Sequence, residues 1–273
     1  MSFSIVILSR DPGNLVPCVR RIWEKEPNLP REKIIVVNDG AWPEAEKQWH
    51  GTDHFPVMVD VTSHLRFKRF ASITWIEGDK PFIFARNANI GIHAAGTDDV
   101  LLLNDDALLE TPAGFTRLAA MAVQHPEFGI IASTCNNVGN LNQERISGGG
   151  IYGMGIRGGM CDPREDPRQV CFIAVLIPRA TIDRVGLLDE DLTGYGFDDD
   201  LYCVSIRRAG LKIGIWDGCF VDHASLRSSY RSEENYFRFQ QNAKIYERKL
   251  IEMGMAENEA DLRRITDCGL AKA

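Results

Sequence analysis

The sequence predicts an α/β fold built on a mostly parallel sheet, and three observations carry that expectation. Short runs that are apolar at successive positions recur along the chain, the pattern of strands buried on both faces. Stretches with helical spacing of apolar residues lie between them, and strand alternating with helix implies parallel strands joined by right-handed crossovers. The chain has 273 residues, 44% of them hydrophobic, which is enough to bury a full core.

The elements follow in order. Apolar runs at residues 4–8, 34–37, 56–59, 73–76, 100–103 and 129–132 read as strands. Residues 15–23, 85–95 and 114–123 have helical spacing, the last opening after Thr111-Pro112 as a capped helix would. From 136 to 167 the pattern breaks into Asn, Gly, Arg and Asp, with Gly148-Gly149-Gly150 and Gly158-Gly159, and reads as a hairpin or mobile loop. Regularity returns with a strand at 171–177, a short helix at 179–185 and a helix at 200–209 that ends at Gly210. Short strands at 212–216 and 219–221 follow, and a last helix at 233–253 closes the domain. Without internal repeats or a linker, residues 1–253 are expected to form one domain, with 254–273 a tail.

Composition excludes several classes. Lysine and arginine total 31 against 38 aspartates and glutamates, a formal net charge of −7. That balance does not favour nucleic acid as a partner, although a local basic groove stays open. The seven cysteines (Cys18, Cys135, Cys161, Cys171, Cys203, Cys219 and Cys268) are odd in number and form no CxxC pair. A disulfide framework or a zinc knuckle is therefore not expected, and a cytoplasmic setting is. The N-terminus lacks the basic flank and apolar length of a signal peptide, and no run is long enough for a bilayer span.

In open α/β sheets ligands bind beyond the carboxyl ends of strands, so polar residues directly after buried runs are the first candidates. Asn38-Asp39-Gly40 follows 34–37 and reads either as an Asx turn or as a ligand-holding carboxylate. Asn104-Asp105-Asp106 follows 100–103. Adjacent carboxylates there repel one another unless a hard divalent cation relieves them, the bland alternative being a solvated turn. Gly194-Tyr195-Gly196-Phe197-Asp198-Asp199-Asp200 opens a helix, where acidic residues suit the dipole. Three consecutive aspartates exceed what a helix start needs, and crowding of that kind raises a carboxyl pKa toward the range of a general base. His223 follows 219–221 and is either a ligand or a satisfied surface residue. Gly148 to Gly153 and Gly153 to Gly158 both match G-x-G-x-x-G, but no buried strand precedes them, so no dinucleotide fingerprint is read. The GxSxG elbow, the P-loop and the HExxH helix are absent.

Taken in order, these motifs resemble the family-2 (GT2) glycosyltransferases of the GT-A fold over roughly residues 3–250. The resemblance rests on a first strand ending in Ser9-Arg10, on Val36-Val37-Asn38-Asp39-Gly40, and on Ala85-Arg86-Asn87 leading to Gly91-Ile92. Leu102-Leu103-Asn104-Asp105-Asp106 stands in place of the DxD motif, and Val185-Gly186-Leu187-Leu188-Asp189-Glu190 follows it. Gly194 to Asp199 is similar to the family's G-x-G-x-E-D, and Arg207-Arg208-Ala209-Gly210 and His223 complete the series.

The resemblance implies a Rossmann-like, mostly parallel central sheet flanked by helices. Its donor half would span about 1–133 and its acceptor half, a C-terminal acceptor-side subregion, about 134–253. It further implies an inverting, metal-dependent glycosyltransferase that uses a nucleoside diphosphate sugar, UDP-sugar favoured, with Mn²⁺ or Mg²⁺. Ser9, Arg10, Asp39, Arg86, Asn104 and Asp105 would bind the donor, and Asp106 and His223 would hold the metal. Asp199 would be the base, with Asp198, which replaces the family's Glu, as its alternate. Asn104 in place of Asp and Ser205 in place of Arg depart from the pattern. The acceptor stays open among a glycan, a lipid-linked sugar, a polyol phosphate, a protein side chain and a hydroxylated DNA base. Two rival readings remain: a sugar-phosphate nucleotidyltransferase, against which Ser9 to Gly13 carries only one glycine, and a non-catalytic nucleotide-sugar-binding scaffold.

Overall fold

A computed structural model describes residues 2–39, 51–52, 55–56, 73–144, 161–166, 168–193, 196–226 and 233–255. The strands are β1 (Phe3–Ser9), β2 (Ile34–Asn38), β3 (Gly51–Thr52), β4 (Phe55–Pro56), β5 (Thr74–Glu77), β6 (Asp99–Asn104), β7 (Leu108–Leu109), β8 (Phe128–Cys135), β9 (Arg164–Glu165), β10 (Ala174–Ile177) and β11 (Lys212–Asp222). The helices are α1 (Pro12–Lys25), α2 (Phe84–Ala94), α3 (Gly114–Gln124), α4 (Arg179–Val185), α5 (Asp198–Arg208) and α6 (Glu233–Glu252). One nine-stranded sheet has the order β5-β2-β1-β6-β10-β8-β11-β7, with β9 paired to β11. β1, β2, β5, β6, β8 and β11 run the same way, while β10, β9 and β7 run against them. The sheet is thus mostly parallel, and five long strands deliver their carboxyl ends to one edge.

Each face of the sheet is covered, which is why its strands are apolar throughout. Ile5 and Ile7 of β1 pack with Leu15, Val19 and Ile22 of α1 and with Phe115 and Leu118 of α3. Val6 and Leu8 face the other way, against Ala85, Ala88 and Ile92 of α2, Ile182 of α4 and Ile206 of α5. Burying one such aliphatic side chain contributes roughly 1.5–3 kcal/mol. A smaller cluster of Leu192, Phe197, Leu201, Val204, Tyr246 and Leu250 fastens α6 to α5.

The structure departs from the sequence expectation in several places. The strand expected at 171–177 begins only at Ala174, because Phe172 and Ile173 form a turn in which Ile173 N–H donates to Cys171 O at 2.8 Å. Residues 212–216 and 219–221 are parts of one strand, β11, whose register against β8 shifts between Trp216 and Phe220. Asp217, inside that irregularity, is buried and paired with Arg164 at 3.0 Å. α5 starts two residues before its expected beginning, taking all three aspartates into its first turn. The short strand β7 was not expected. Gly40, residues 57–59, 145–160 and 167, Gly194, Tyr195 and residues 256–273 of the expected tail lie outside the described residues. Among the described residues no helix is long and apolar enough to cross a membrane, and the described cysteines are all free.

Candidate active site

The carboxyl ends of β1, β2 and β6 bring Ser9, Arg10, Asp39, Asn104 and Asp105 of the expected donor-binding residues into one connected set, while Arg86 lies on α2 outside it. Parallel pairing puts Ser9 beside Asn38 and Leu8 beside Asn104. Asp39 N–H donates to Ser9 O at 2.8 Å. The Arg10 guanidinium grips Asp39 Oδ2 through Nε at 2.9 Å and Nη2 at 2.7 Å, and lies 4.8 Å over the Phe82 ring. Ser9 Oγ donates to Asp105 Oδ2 at 2.8 Å. Asp105 and Asp106 are each 5% exposed, so the solvated-turn alternative does not hold. Burial pushes the Asp105 carboxyl up to about 6, aided by the neighbouring Asp106 and opposed by the Ser9 hydrogen bond.

Asp106 meets His223 across the sheet edge. His223 Nε2 lies 3.2 Å from Asp106 Oδ1, although 117 positions separate them in sequence. The strand order explains the meeting: β11 delivers His223 to the edge at which β6 delivers Asp106, and the β7 turn carries Asp106 toward β11. Burial pulls the imidazole pKa down, but the hydrogen bond and charge of Asp106 outweigh it, and the ring is held above its ordinary value. Asn136 and Asn137, just past β8, border His223: Asn136 Oδ1 accepts from His223 N–H at 2.6 Å, and Asn137 O faces His223 Nδ1 at 3.0 Å. Neither asparagine was singled out from sequence. Their position directly beyond a buried strand, at the edge shared by Asp39 and Asp106, was the signal available.

The aspartate triplet reaches the same edge through the turn before β10. Asn104 N–H donates to Ile173 O at 2.9 Å, and the Asp199 carboxylate lies near the backbone of Phe172, the next residue back. Asp198 stands in the first turn of α5, with its carboxylate near the backbone of Ala85 at the start of α2. Its Oδ1 is buried without a hydrogen-bond partner. Burial raises the pKa of Asp198, Asp199 and Asp200, and the charge of Asp199 raises its two neighbours further. Arg86, the residue after Ala85, is 3.4 Å from Glu190 through Nε. Glu190 also accepts from Asn89, which in turn holds both the N–H and the carbonyl of Leu188. Lys249 of α6 pairs with Asp189 at 2.7 Å and Asp191 at 2.5 Å, on either side of Glu190.

The donor chemistry of this edge fits a hard divalent ion only in part. Among the described residues no group of three or more His, Cys, Asp and Glu side chains is placed to hold a metal. The pair Asp106 and His223 is nonetheless spaced as two adjacent ligands of an octahedral ion, which at bond lengths of about 2.1 Å lie about 3 Å apart. Two protein ligands suit ions of the Mg²⁺ class, which take their remaining ligands from water and substrate phosphates.

By sequence, no family model and no curated protein matches the chain. Solved structures do match it by fold. The structure of GalNAc-T7 with UDP, GalNAc and Mn²⁺ superposes with a TM-score of 0.61 at 12% identity, covering 89% of this chain and 48% of that one. The mannosyltransferase PcManGT of Pyrobaculum calidifontis, in complex with GDP-Man and Mn²⁺, gives 0.59 at 13% identity, covering 92% and 64%. Residues 1–349 of S. aureus TarS with UDP-GlcNAc give 0.53 at 12% identity, covering 89% and 66%. The chain spans about half the length of the first and under two thirds of the others. It has the mixed α/β GT-A fold of these glycosyltransferases, with a mostly parallel sheet flanked by helices.

Proposed function

We propose that the chain is an inverting, metal-dependent glycosyltransferase of the GT2 type, moving a sugar from a nucleoside diphosphate, UDP foremost, to an acceptor hydroxyl. The observation that carries this reading is the Asp106–His223 pair at the sheet edge, directly after Asp105, which Ser9 of the neighbouring strand β1 holds. The fold is that of enzymes solved with UDP, GDP-Man and UDP-GlcNAc, two of them with Mn²⁺. Sheet edges of this kind hold nucleotides.

Each side chain then has a task. Asp39 accepts hydrogen bonds from the donor's base or ribose, and Arg10, packed on Phe82, keeps that carboxylate oriented. Ser9, Asn104 and Asp105 line the nucleotide's path across the edge. Asp106 and His223 hold Mn²⁺ or Mg²⁺, which supplies positive charge against the leaving diphosphate. Arg86 exchanges Glu190 for the diphosphate. Both partners are partly exposed, so the exchange costs little. Asp199 takes the proton of the acceptor hydroxyl as its oxygen bonds to the anomeric carbon and the bond to the diphosphate oxygen breaks on the opposite face. That displacement inverts the configuration. Asp198, beside Asp199 in the first turn of α5, is the alternate base. Residues 1–133 form the donor half and 134–253 the acceptor half.

Asp199→Asn tests the reading. Nucleoside diphosphate release from a UDP-sugar should fall by about 100-fold or more, the usual weight of a general base. UDP affinity should stay within about threefold, because no donor-binding group is removed. Unchanged release would take Asp199 out of this role.

A further inference from the structure

Beyond β8 the chain turns through Asn136 and Asn137, and together they fix His223 in three ways. Asn136 is 7% exposed and uses both ends of its amide: Oδ1 accepts from His223 N–H at 2.6 Å, and Nδ2 donates to Asp222 Oδ1 at 2.9 Å. Asp222 Oδ1 also accepts from Ala224 N–H at 3.0 Å and Ser225 N–H at 3.3 Å, so the residues before and after His223 are held by one carboxylate. Asn137 is left-handed at φ 54°, a conformation that asparagine tolerates and β-branched residues resist. That conformation aims its carbonyl at His223 Nδ1, 3.0 Å away, and its side chain donates to His223 O at 3.3 Å.

We infer that Asn136 and the carbonyl of Asn137 are positioning groups that preform His223 as a metal ligand. A carbonyl only accepts, so the ring nitrogen facing it carries the proton. Nε2, which hydrogen-bonds Asp106 when no cation is present, is then the nitrogen that would release its proton and offer a lone pair to a metal. Metal-bound histidines depend on such an outer partner for tautomer and ring orientation, and losing it typically lowers metal affinity by about 10–100-fold. The arrangement joins the turns directly beyond β8 and β11, so the ligand is held between two neighbouring strand ends. This inference rests on the assignment of Asp106 and His223 as metal ligands.

The test measures Mn²⁺ affinity of the full chain by electron paramagnetic resonance with UDP in excess, and with GDP in parallel. Asn136→Ala should weaken Mn²⁺ binding by about tenfold or more. Because Asn136 is buried, the exposed Asn137 supplies a second pair of variants that leaves the core untouched. Asn137→Gly keeps the left-handed turn and the carbonyl and should bind within about threefold of wild type, whereas Asn137→Val, which resists that turn, should weaken binding by about tenfold. Wild-type Mn²⁺ affinity in Asn137→Val, or in a folded Asn136→Ala, would overturn the inference. Asp106→Ala and His223→Ala separate the two levels. If they abolish Mn²⁺ binding while the asparagine variants do not, only the positioning role falls; if they leave it unchanged, or if wild type binds no Mn²⁺ with either nucleotide, the metal assignment falls with it.

Discussion

Asp98 and Asp105 stand at opposite ends of β6, and their surroundings push their carboxyl groups in opposite directions. Burial alone would raise Asp98, but Lys33 Nζ and Ser4 Oγ, each 2.6 Å from Oδ2, outweigh it and hold the carboxyl below its ordinary range. Asp105 has only hydroxyl and amide donors against its burial and a like-charged neighbour, and it rises to about 6. Asp98 thus supports the fold, and Asp105 carries a strain that a cation at this edge would relieve. A lowered carboxyl pKa contributes stability that is present above the unfolded value of 3.8 and is lost as pH falls through the folded one. Asp98→Asn should therefore cost on the order of 1 kcal/mol at pH 7. In urea unfolding the gap to wild type should close as pH drops below about 4; a gap that stays constant with pH would contradict the role. The same sign reasoning applies to Asp199, whose raised pKa means that activity should be lost on the acid side at a pH above the ordinary carboxylate range.

At the scale of elements, α2 fits closely against β1. A Cβ built on Gly91 would lie 2.2 Å from Val6 Cγ1, inside the buried face beneath the helix that carries Arg86. Gly→Ala inside a helix ordinarily gains about 1 kcal/mol. Overpacking a dense core costs about 1–3 kcal/mol, so Gly91→Ala should lower the melting temperature. A melting temperature that rises would show that α2 can shift outward. Strands such as β1, β2 and β6 were legible because burial on both faces leaves continuous apolar runs. β7 is only two residues long, and the register shift in β11 contains Asp217, which pairs with Arg164, a contact between distant segments that no local pattern announces. The candidate site was legible in part for the same reason. Asp39, Asp105 and Asp106 follow apolar runs directly, but the pairing of Asp106 with His223 depends on strand order. Asn136 and Asn137 look like ordinary loop residues until β8 is seen to end beside β11. Phe197 adds a further case: its left-handed backbone at φ 70° is held by packing on Phe239 and Tyr246 of α6, 4.7 and 5.1 Å away, which sequence spacing does not reveal.

For the whole molecule, one sheet edge gathers the carboxyl ends of five parallel strands, and every candidate residue lies on it or on the first turn of a helix facing it. The protein is acidic overall, at −7, and gathers further carboxylates at this edge, which favours a cation there on the proposed reading. The most direct measurement is the melting temperature of the full chain with UDP, GDP and their sugar conjugates, each with and without Mn²⁺. A ligand that binds only the folded state stabilises by mass action, about 2.7 kcal/mol at 100 times its Kd. The expected result is stabilisation by one nucleotide and its sugars that requires Mn²⁺ and vanishes in Asp106→Ala. No shift with any nucleotide, or a shift of equal size without metal, would contradict a metal-dependent nucleotide-sugar site at this edge.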